Sequence, residues 1–215
     1  METNQLKIKL EETYRLLVEL ERLKSDIQHL SNQNADYFKI AVQKSHFLYR
    51  TYFNAIKLLV IDTNKILNPT QDFSLHKTLN FMISNHKNIH WHESPRMEEL
   101  NNYNLEIESL IYNKLESIKT LRDKNYAHLD KNRENYKYNF RLIDAYETIG
   151  KFQEIYRNLI FNFNGSGVVF NTWNNPPNEI IFLSKYHMLR KSLLELHFTD
   201  RWNDELDKLF RIIRT

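Results

Sequence analysis

Glycine and proline are scarce in this chain, with three glycines and four prolines among 215 residues. Tight turns depend on these two residue types, and β-sandwiches and doubly wound α/β folds need many such turns. Two of the glycines and two of the prolines also lie together, between Asn164 and Pro177. The rest of the chain is therefore expected to form long helices, and the sequence predicts an all-α fold, an up-and-down helical bundle.

Hydrophobic periodicity divides the chain into six predicted helices. The first is expected over residues 5–31, because its leucines and isoleucine recur at spacings of three and four and so share one stripe. The second is predicted for residues 35–67, where Asn68 and Pro69 end it. A shorter third helix is predicted for residues 74–85.

A polar link over residues 86–93 is expected before the fourth helix. Ser94 is the predicted cap of that helix and Pro95 its first helical residue, because proline at this position needs no hydrogen-bond partner for its nitrogen. The helix is expected to continue to about residue 127. The fifth helix is predicted for residues 132–162.

The composition changes at residue 164, where most of the glycine and proline begins. Residues 164–183 are expected to form a loop or a short β-hairpin. A last helix is predicted for residues 184–214. We therefore expect two parts, a helical bundle over residues 1–163 and an extension over residues 164–215 that packs on the bundle.

The overall charge identifies no partner. Thirty basic and 27 acidic residues leave a net charge of +3, which is too small by itself to indicate nucleic-acid binding. The absence of cysteine excludes a disulfide scaffold, thiolate zinc sites and cysteine catalysis. The apolar runs are far shorter than the about 20 residues of a spanning helix, and the N-terminus lacks a signal-peptide pattern. A cytoplasmic protein that does not contact a membrane is expected.

Nine histidines raise the question of a metal site. His86, His90 and His92 lie next to Glu93 in sequence, and the first two would share a face of a helix. The link is short and polar, however, and it lacks the HExxH arrangement of zinc proteases. We therefore expect no metal and no cofactor. Phosphate-loop, dinucleotide and serine-hydrolase motifs are also absent from the sequence.

Residues suited to chemistry are concentrated near the end of the fourth predicted helix. Arg122 is a permanent cation that can hold a phosphate in a forked contact, and His128 titrates near neutral pH and can transfer a proton. Asp123 can orient either group or a substrate hydroxyl, and Lys124 adds positive charge. A base, an acid and a cation are what metal-independent cleavage of a phosphodiester requires.

The spacing of Arg122 and His128 is unfavourable on one continuous helix. Six positions turn by about 600°, so the two side chains would point roughly 120° apart. Two arrangements would bring them together. Either the helix unwinds before His128, or the site is composed of two chains related by a two-fold axis, which would supply two arginines and two histidines to one cleft.

The heptapeptide RDKNYAH at 122–128 resembles the R-[polar]-x4-H motif of the HEPN superfamily. The ending AHLD at 127–130 is similar to the AbiU-type abortive-infection branch, and the order of predicted helices over residues 35–163 agrees. Looser matches to the spacing occur at Arg22…His29 and Arg190…His197. The Tyr-Ala pair before the histidine, and the position late in a central helix, distinguish the match at 122–128.

The resemblance implies a HEPN-like bundle that forms a homodimer, with the motifs of both protomers lining one cleft. It also implies a metal-independent endoribonuclease used as a toxin or in anti-phage defence, with RNA as its partner. In such a site His128 would be the acid/base, Arg122 the phosphate-binding cation and Asp123 the polar orienting residue. Lys124 and Tyr126 are expected to contact RNA.

Two other interpretations of the same residues stay open. Some HEPN-like proteins have lost catalysis and serve in binding or assembly. The chain would then be a non-catalytic interaction module of a defence or toxin–antitoxin complex, with an antitoxin or another defence protein as its partner. More simply, Arg122 and Asp123 would be a solvated helix end and His128 a cap.

Overall fold

The computed structural model describes residues 1–31, 45–127 and 140–170, together with single helical positions at 42, 182, 185, 186, 189 and 192. Every regular element in these ranges is a helix, and no strand occurs among them. This confirms the predicted all-α helical bundle. The five longest elements are α1 (Glu2–Leu30), α2 (His46–Leu67), α3 (Leu75–Ser84), α4 (Met97–Leu121) and α5 (Leu142–Asn164).

The chain divides into two compact units. The first consists of Met1–Lys24 and Lys57–Thr172, and the second of Ser25–Ile56 and Trp173–Thr215. In the second unit the described part comprises the end of α1, the first half of α2 and the single helical positions after residue 180. The division of the chain at residue 164 stays a prediction.

The core of the first unit is built from aliphatic and aromatic side chains of its helices. Because these residues recur at intervals of three or four, each helix presents one apolar stripe, and burial of that stripe is the main stabilising contribution. The fully or nearly fully buried members include Leu6, Leu10, Leu17 and Leu20 of α1, Leu100, Ile107 and Ile118 of α4, and Ile149, Phe152, Ile155 and Leu159 of α5.

Two buried polar contacts join α1 to α5 within this unit. The Tyr156 hydroxyl donates to the Leu10 carbonyl at 3.0 Å, and the Gln153 amide donates to the Glu21 carboxylate at 2.9 Å. Burial raises the pKa of Tyr156, so its phenol stays protonated and able to donate. Because a buried polar group without a partner is costly, these bonds also select the register of the two helices.

Several predicted helix ends are confirmed. α1 covers the first predicted helix, and α2 ends at Leu67, directly before Asn68 and Pro69. α3 is capped by Ser74, whose hydroxyl accepts a hydrogen bond from the Lys77 amide at 3.3 Å. The second helix, predicted for residues 35–67, is wrong at Ser45, which is not helical and whose hydroxyl accepts from the Leu48 amide at 3.3 Å, so that α2 begins at His46. Most of residues 35–44 lies outside the described residues.

The predicted start of the fourth helix is wrong. α4 begins at Met97 with Arg96 as its extended cap residue, so Ser94 and Pro95 both precede the helix. The cause is a contact made across the link: His86 Nε2 lies 2.8 Å from the Pro95 carbonyl oxygen. That oxygen can only accept, so the imidazole donates and holds the segment outside the helix.

The predicted start of the fifth helix is also wrong. Phe140 and Arg141 are not helical, and α5 begins at Leu142. The Asp144 carboxylate accepts a hydrogen bond from the Arg141 backbone amide at 2.8 Å, and this cap ends the extended segment. Residues 132–139, where the helix was expected to start, lie outside the described residues.

α5 ends as the sequence indicates. Gly165 takes the left-handed conformation, with φ of 74°, and its amide donates to the Phe161 carbonyl at 2.8 Å. Residues 165–170 are not helical, as expected for a loop. Phe182 is helical, so the loop or hairpin predicted for residues 164–183 is wrong at that position. Residues 171–181 lie outside the described part, and a hairpin there stays a prediction. Positions 185, 186, 189 and 192 are helical, as expected for the last helix. None of the helices in the described ranges combines the length and the apolar character needed to cross a bilayer.

Candidate functional site

The candidate residues lie where α4 ends. Leu121 is its last α-helical residue, and Arg122–Ala127 continue as a π-helical turn. Ile118 and Leu121 are buried and fix this end of α4 in the core of the first unit. The Arg122 amide donates to the carbonyls of both Ile118 and Lys119, so the start of the π-helical turn is hydrogen-bonded to the last turn of α4.

Arg122 and Asp123 form a close ion pair on this turn. Arg122 Nε donates to Asp123 Oδ1 at 2.6 Å, and Nη2 lies 2.5 Å from the same oxygen. The two side chains are 26% and 33% exposed, so both remain accessible to a solute. The paired charges largely cancel, and a phosphate that binds the guanidinium has to compete with the carboxylate.

Lys124 and Tyr126, the predicted RNA contacts, lie on the same π-helical turn. Both are half-buried, and each interacts with other groups of the protein. The structure therefore brings four of the five predicted site residues onto one turn. Their side chains lie at the protein surface and not in the core, which is the location that a contact with a large solute requires.

His128 lies outside the described residues, as does the chain up to residue 139. Its distance from Arg122 therefore stays a prediction, and both arrangements that would bring the two residues together stay open. The change from α-helical to π-helical winding at Arg122 does alter the angular spacing on which the 120° estimate depends.

A cluster that the sequence did not predict holds the chain where it returns from this segment. The Lys114 ammonium of α4 lies 2.5 Å from Asp144 Oδ1, and Asp144 Oδ2 accepts from the Arg141 backbone amide and, at 3.3 Å, from its Nε. The hydrogen bond from Lys114 is the largest cause that lowers the pKa of Asp144 to about 2, against the opposing effect of burial. Phe140, just before the cluster, is buried.

The cluster lies where the described chain resumes. The described residues stop at Ala127, at the end of the π-helical turn, and resume at Phe140, directly before the cluster that joins α4 to α5. The contact from Asp144 to the Arg141 amide is one half of a capping box, but arginine cannot accept a hydrogen bond as the cap residue of that motif, so the sequence carries no capping-box signal at this helix start. Lys114, which is distant in sequence, carries no such signal either.

The histidines of the link are used in packing. His86 contacts the Pro95 carbonyl and the Trp91 ring, and the His92 ring lies against Phe161. The amide of His92 donates to carbonyls at the end of α5, at 3.1 Å. Within the part of the chain that the structure describes, no three histidine, aspartate or glutamate side chains are grouped closely enough to bind a metal ion.

Comparisons of the chain with protein-family models, with curated proteins and with solved structures find no match. The resemblance to the HEPN superfamily therefore depends on the heptapeptide at 122–128 and on the order of the helices around it.

Proposed function

We propose that the chain is a HEPN-like, metal-independent endoribonuclease that acts as a toxin or anti-phage effector and cleaves RNA at a composite site of a homodimer. The observation that carries the proposal is the placement of Arg122. Its guanidinium is accessible to solvent. Arg122 directly follows the buried end of α4 and is the first residue of the π-helical turn. Such turns are rare in proteins and are frequent at functional sites.

The proposed reaction uses the 2′-hydroxyl of the RNA as nucleophile. Its oxygen forms a bond to the adjacent phosphorus while the bond from phosphorus to the 5′-oxygen breaks, which leaves a 2′,3′-cyclic phosphate and a 5′-hydroxyl. His128 of one protomer accepts the 2′-hydroxyl proton, and His128 of the other protonates the leaving oxygen. Arg122 stabilises the negative charge on the non-bridging oxygens.

Asp123 has two opposed effects in this mechanism. Its contact with Nε and Nη2 fixes the plane of the Arg122 guanidinium, which favours a forked contact with phosphate. The same carboxylate repels the phosphate and competes for the guanidinium. The aspartate therefore favours correct orientation of the cation at the expense of affinity for RNA.

The test compares wild-type protein with His128→Ala and Arg122→Ala on end-labelled single-stranded RNA in the presence of EDTA. Loss of the acid/base group should lower the cleavage rate by a factor of about 100 or more. Wild-type products should carry cyclic phosphates. His90→Ala is the matched control, since His90 is exposed on the link before α4. Equal cleavage by wild type and His128→Ala would reject the proposal.

The ion pair itself favours the second candidate function, a non-catalytic interaction module. A guanidinium neutralised by the adjacent carboxylate is less available to a phosphate, which fits a motif that takes part in binding or assembly without cleaving RNA. The two functions differ in what the double variant does in cells. If expression of the wild-type chain is toxic and the toxicity persists with Arg122→Ala and His128→Ala together, the interaction module is favoured.

A further inference from the structure

Large aromatic side chains are exposed on the first half of α2, within the second unit. Phe47 is 67% exposed, Tyr49 51% and Phe53 45%. The opposite side of the same turns holds Leu48 and Ala55, which are buried, so the aromatic residues lie on the outer side of the helix. Large exposed apolar groups that are contiguous on a surface indicate a binding site.

This α2 aromatic surface, defined by His46, Phe47, Tyr49, Arg50, Phe53 and Asn54, has a concave part. His46, Phe47, Arg50 and Asn54, with Thr51, line a groove of about 440 Å³. The Tyr49 and Phe53 rings lie 4.6 Å apart between centroids, and Tyr52 meets Phe53 edge-on at 5.3 Å. The Tyr49, Tyr52 and Phe53 rings therefore support one another, which reduces the entropy lost when a ligand packs against Phe53.

The charge of this part of the chain is one-sided. No aspartate or glutamate occurs between Asp36 and Asp62, whereas Lys39, Lys44, Arg50 and Lys57 all fall in that interval. On the α2 aromatic surface itself the fixed charge is the exposed Arg50, near its middle. An anionic partner complements such a surface.

A second copy of the chain fits the charge less well. Two identical surfaces paired about a two-fold axis near their middle would bring the two Arg50 guanidinium groups together, because Arg50 lies midway between His46 and Asn54. No carboxylate of residues 37–61 would offset that repulsion.

We propose that the α2 aromatic surface binds single-stranded RNA, with bases stacking on Phe47 and Phe53 and a phosphate held by Arg50. The choice of RNA over another polyanion rests on the function proposed above. Exposed aromatic rings interleaved with a cation are the features by which proteins bind single strands without sequence preference. The surface would hold substrate through residues other than those of the π-helical turn.

The experiment measures fluorescence anisotropy of a labelled single-stranded 2′-O-methyl oligoadenylate of about 12 nucleotides, a length within the usual range for one binding domain. The 2′-O-methyl groups prevent cleavage, so binding is observed alone. Phe47→Ala and Phe53→Ala should each weaken binding at least about fivefold. Arg50→Gln should lower the slope of log Kd against log salt by about 0.7.

Tyr112→Ala is the matched control, because Tyr112 is an aromatic residue of α4 that is 89% exposed. It should leave the affinity unchanged. Arg50→Gln keeps the aromatic rings, so a change in its salt dependence cannot come from loss of packing. Far-ultraviolet circular dichroism of each variant shows whether the helix content of the whole chain has been retained.

Two results would overturn the proposal: unchanged affinity in all three surface variants, or a dimer that Phe47→Ala dissociates while the affinity for the oligonucleotide stays the same. The second would assign the surface to self-association. The proposed ribonuclease is tested separately on cleavable RNA. If binding depends on Phe47 but no RNA is cleaved, the α2 aromatic surface is retained as an RNA-binding surface and the proposed ribonuclease is rejected. If RNA is cleaved but binding does not depend on Phe47, the ribonuclease is retained and the binding surface is rejected.

Discussion

Asp144→Asn removes the charge at the centre of the cluster that fixes the start of α5. The carboxylate is 4% exposed, and its partners lower its pKa from 3.8 to about 2. At about 1.4 kcal/mol per pKa unit, the ionised form is favoured by about 2.5 kcal/mol. Arg141 is 78% exposed, so water screens part of that interaction. We expect the free energy of unfolding to fall by about 1–2 kcal/mol near neutral pH.

The pH dependence of this loss gives a second criterion. Because the pKa of Asp144 is lower in the folded state than its ordinary value, the ionised carboxylate stabilises the fold above about pH 4. That contribution is lost as the pH falls toward about 2, where the folded protein also binds the proton. Asparagine does not titrate, so the difference between wild type and variant should be constant from about pH 7 to 5 and should then shrink.

Urea unfolding followed by far-ultraviolet circular dichroism measures both quantities. Asp72→Asn is the matched control, since Asp72 also pairs with a lysine, Lys77 at 2.9 Å, but its side chain is 80% exposed. It should leave the unfolding midpoint near neutral pH almost unchanged. The reasoning is refuted if Asp144→Asn costs nothing near neutral pH, or if its cost is the same near pH 3 as near pH 7.

Two further substitutions test single contacts. Asp123→Asn should tighten binding of uncleavable single-stranded RNA by up to about fivefold, because the carboxylate no longer competes for Arg122. Unchanged or weaker binding in the anisotropy assay would contradict this prediction. Gly165→Ala should lower the free energy of unfolding by about 1–2 kcal/mol, since φ is 74° and the new Cβ would lie 2.9 Å from the His92 ring. Gly167→Ala, whose new Cβ would meet nothing within 4 Å, should be nearly neutral in the same urea unfolding experiment.

Helix ends that depend on neighbouring residues could be predicted from the sequence. Asn68 and Pro69 end α2, and the Ser74 hydroxyl caps α3, because in both places the residues that act are within a few positions of the helix end. The wrong start of α4 depends on His86, nine residues before Pro95. A contact of this kind exists only after the link has folded back, so no local pattern contains it.

In the candidate site, too, the sequence predicted some features and not others. The residue types that could bind phosphate were evident from the heptapeptide, as was the ability of Asp123 to orient a neighbouring group, but the close ion pair between Arg122 and Asp123 was not. Adjacent residues on a regular helix do not face each other, so their spacing predicts no ion pair. The pair forms where the winding changes to a π-helical turn. The heptapeptide left open whether the helix continues or unwinds before His128, and it gave no sign of π-helical winding.

The separation of the two acidic residues allows stability and function to be distinguished. Asp144 is buried and bonded to Lys114, whereas Asp123 is one-third exposed and bonded to the proposed phosphate ligand. If residues 128–139 are positioned by the cluster at α5, Asp144→Asn should reduce stability and RNA cleavage together. Asp123→Asn should change RNA affinity while the unfolding curve stays the same, because an exposed pair contributes little to the fold. Loss of cleavage in Asp144→Asn at full stability would instead place Asp144 in the site itself.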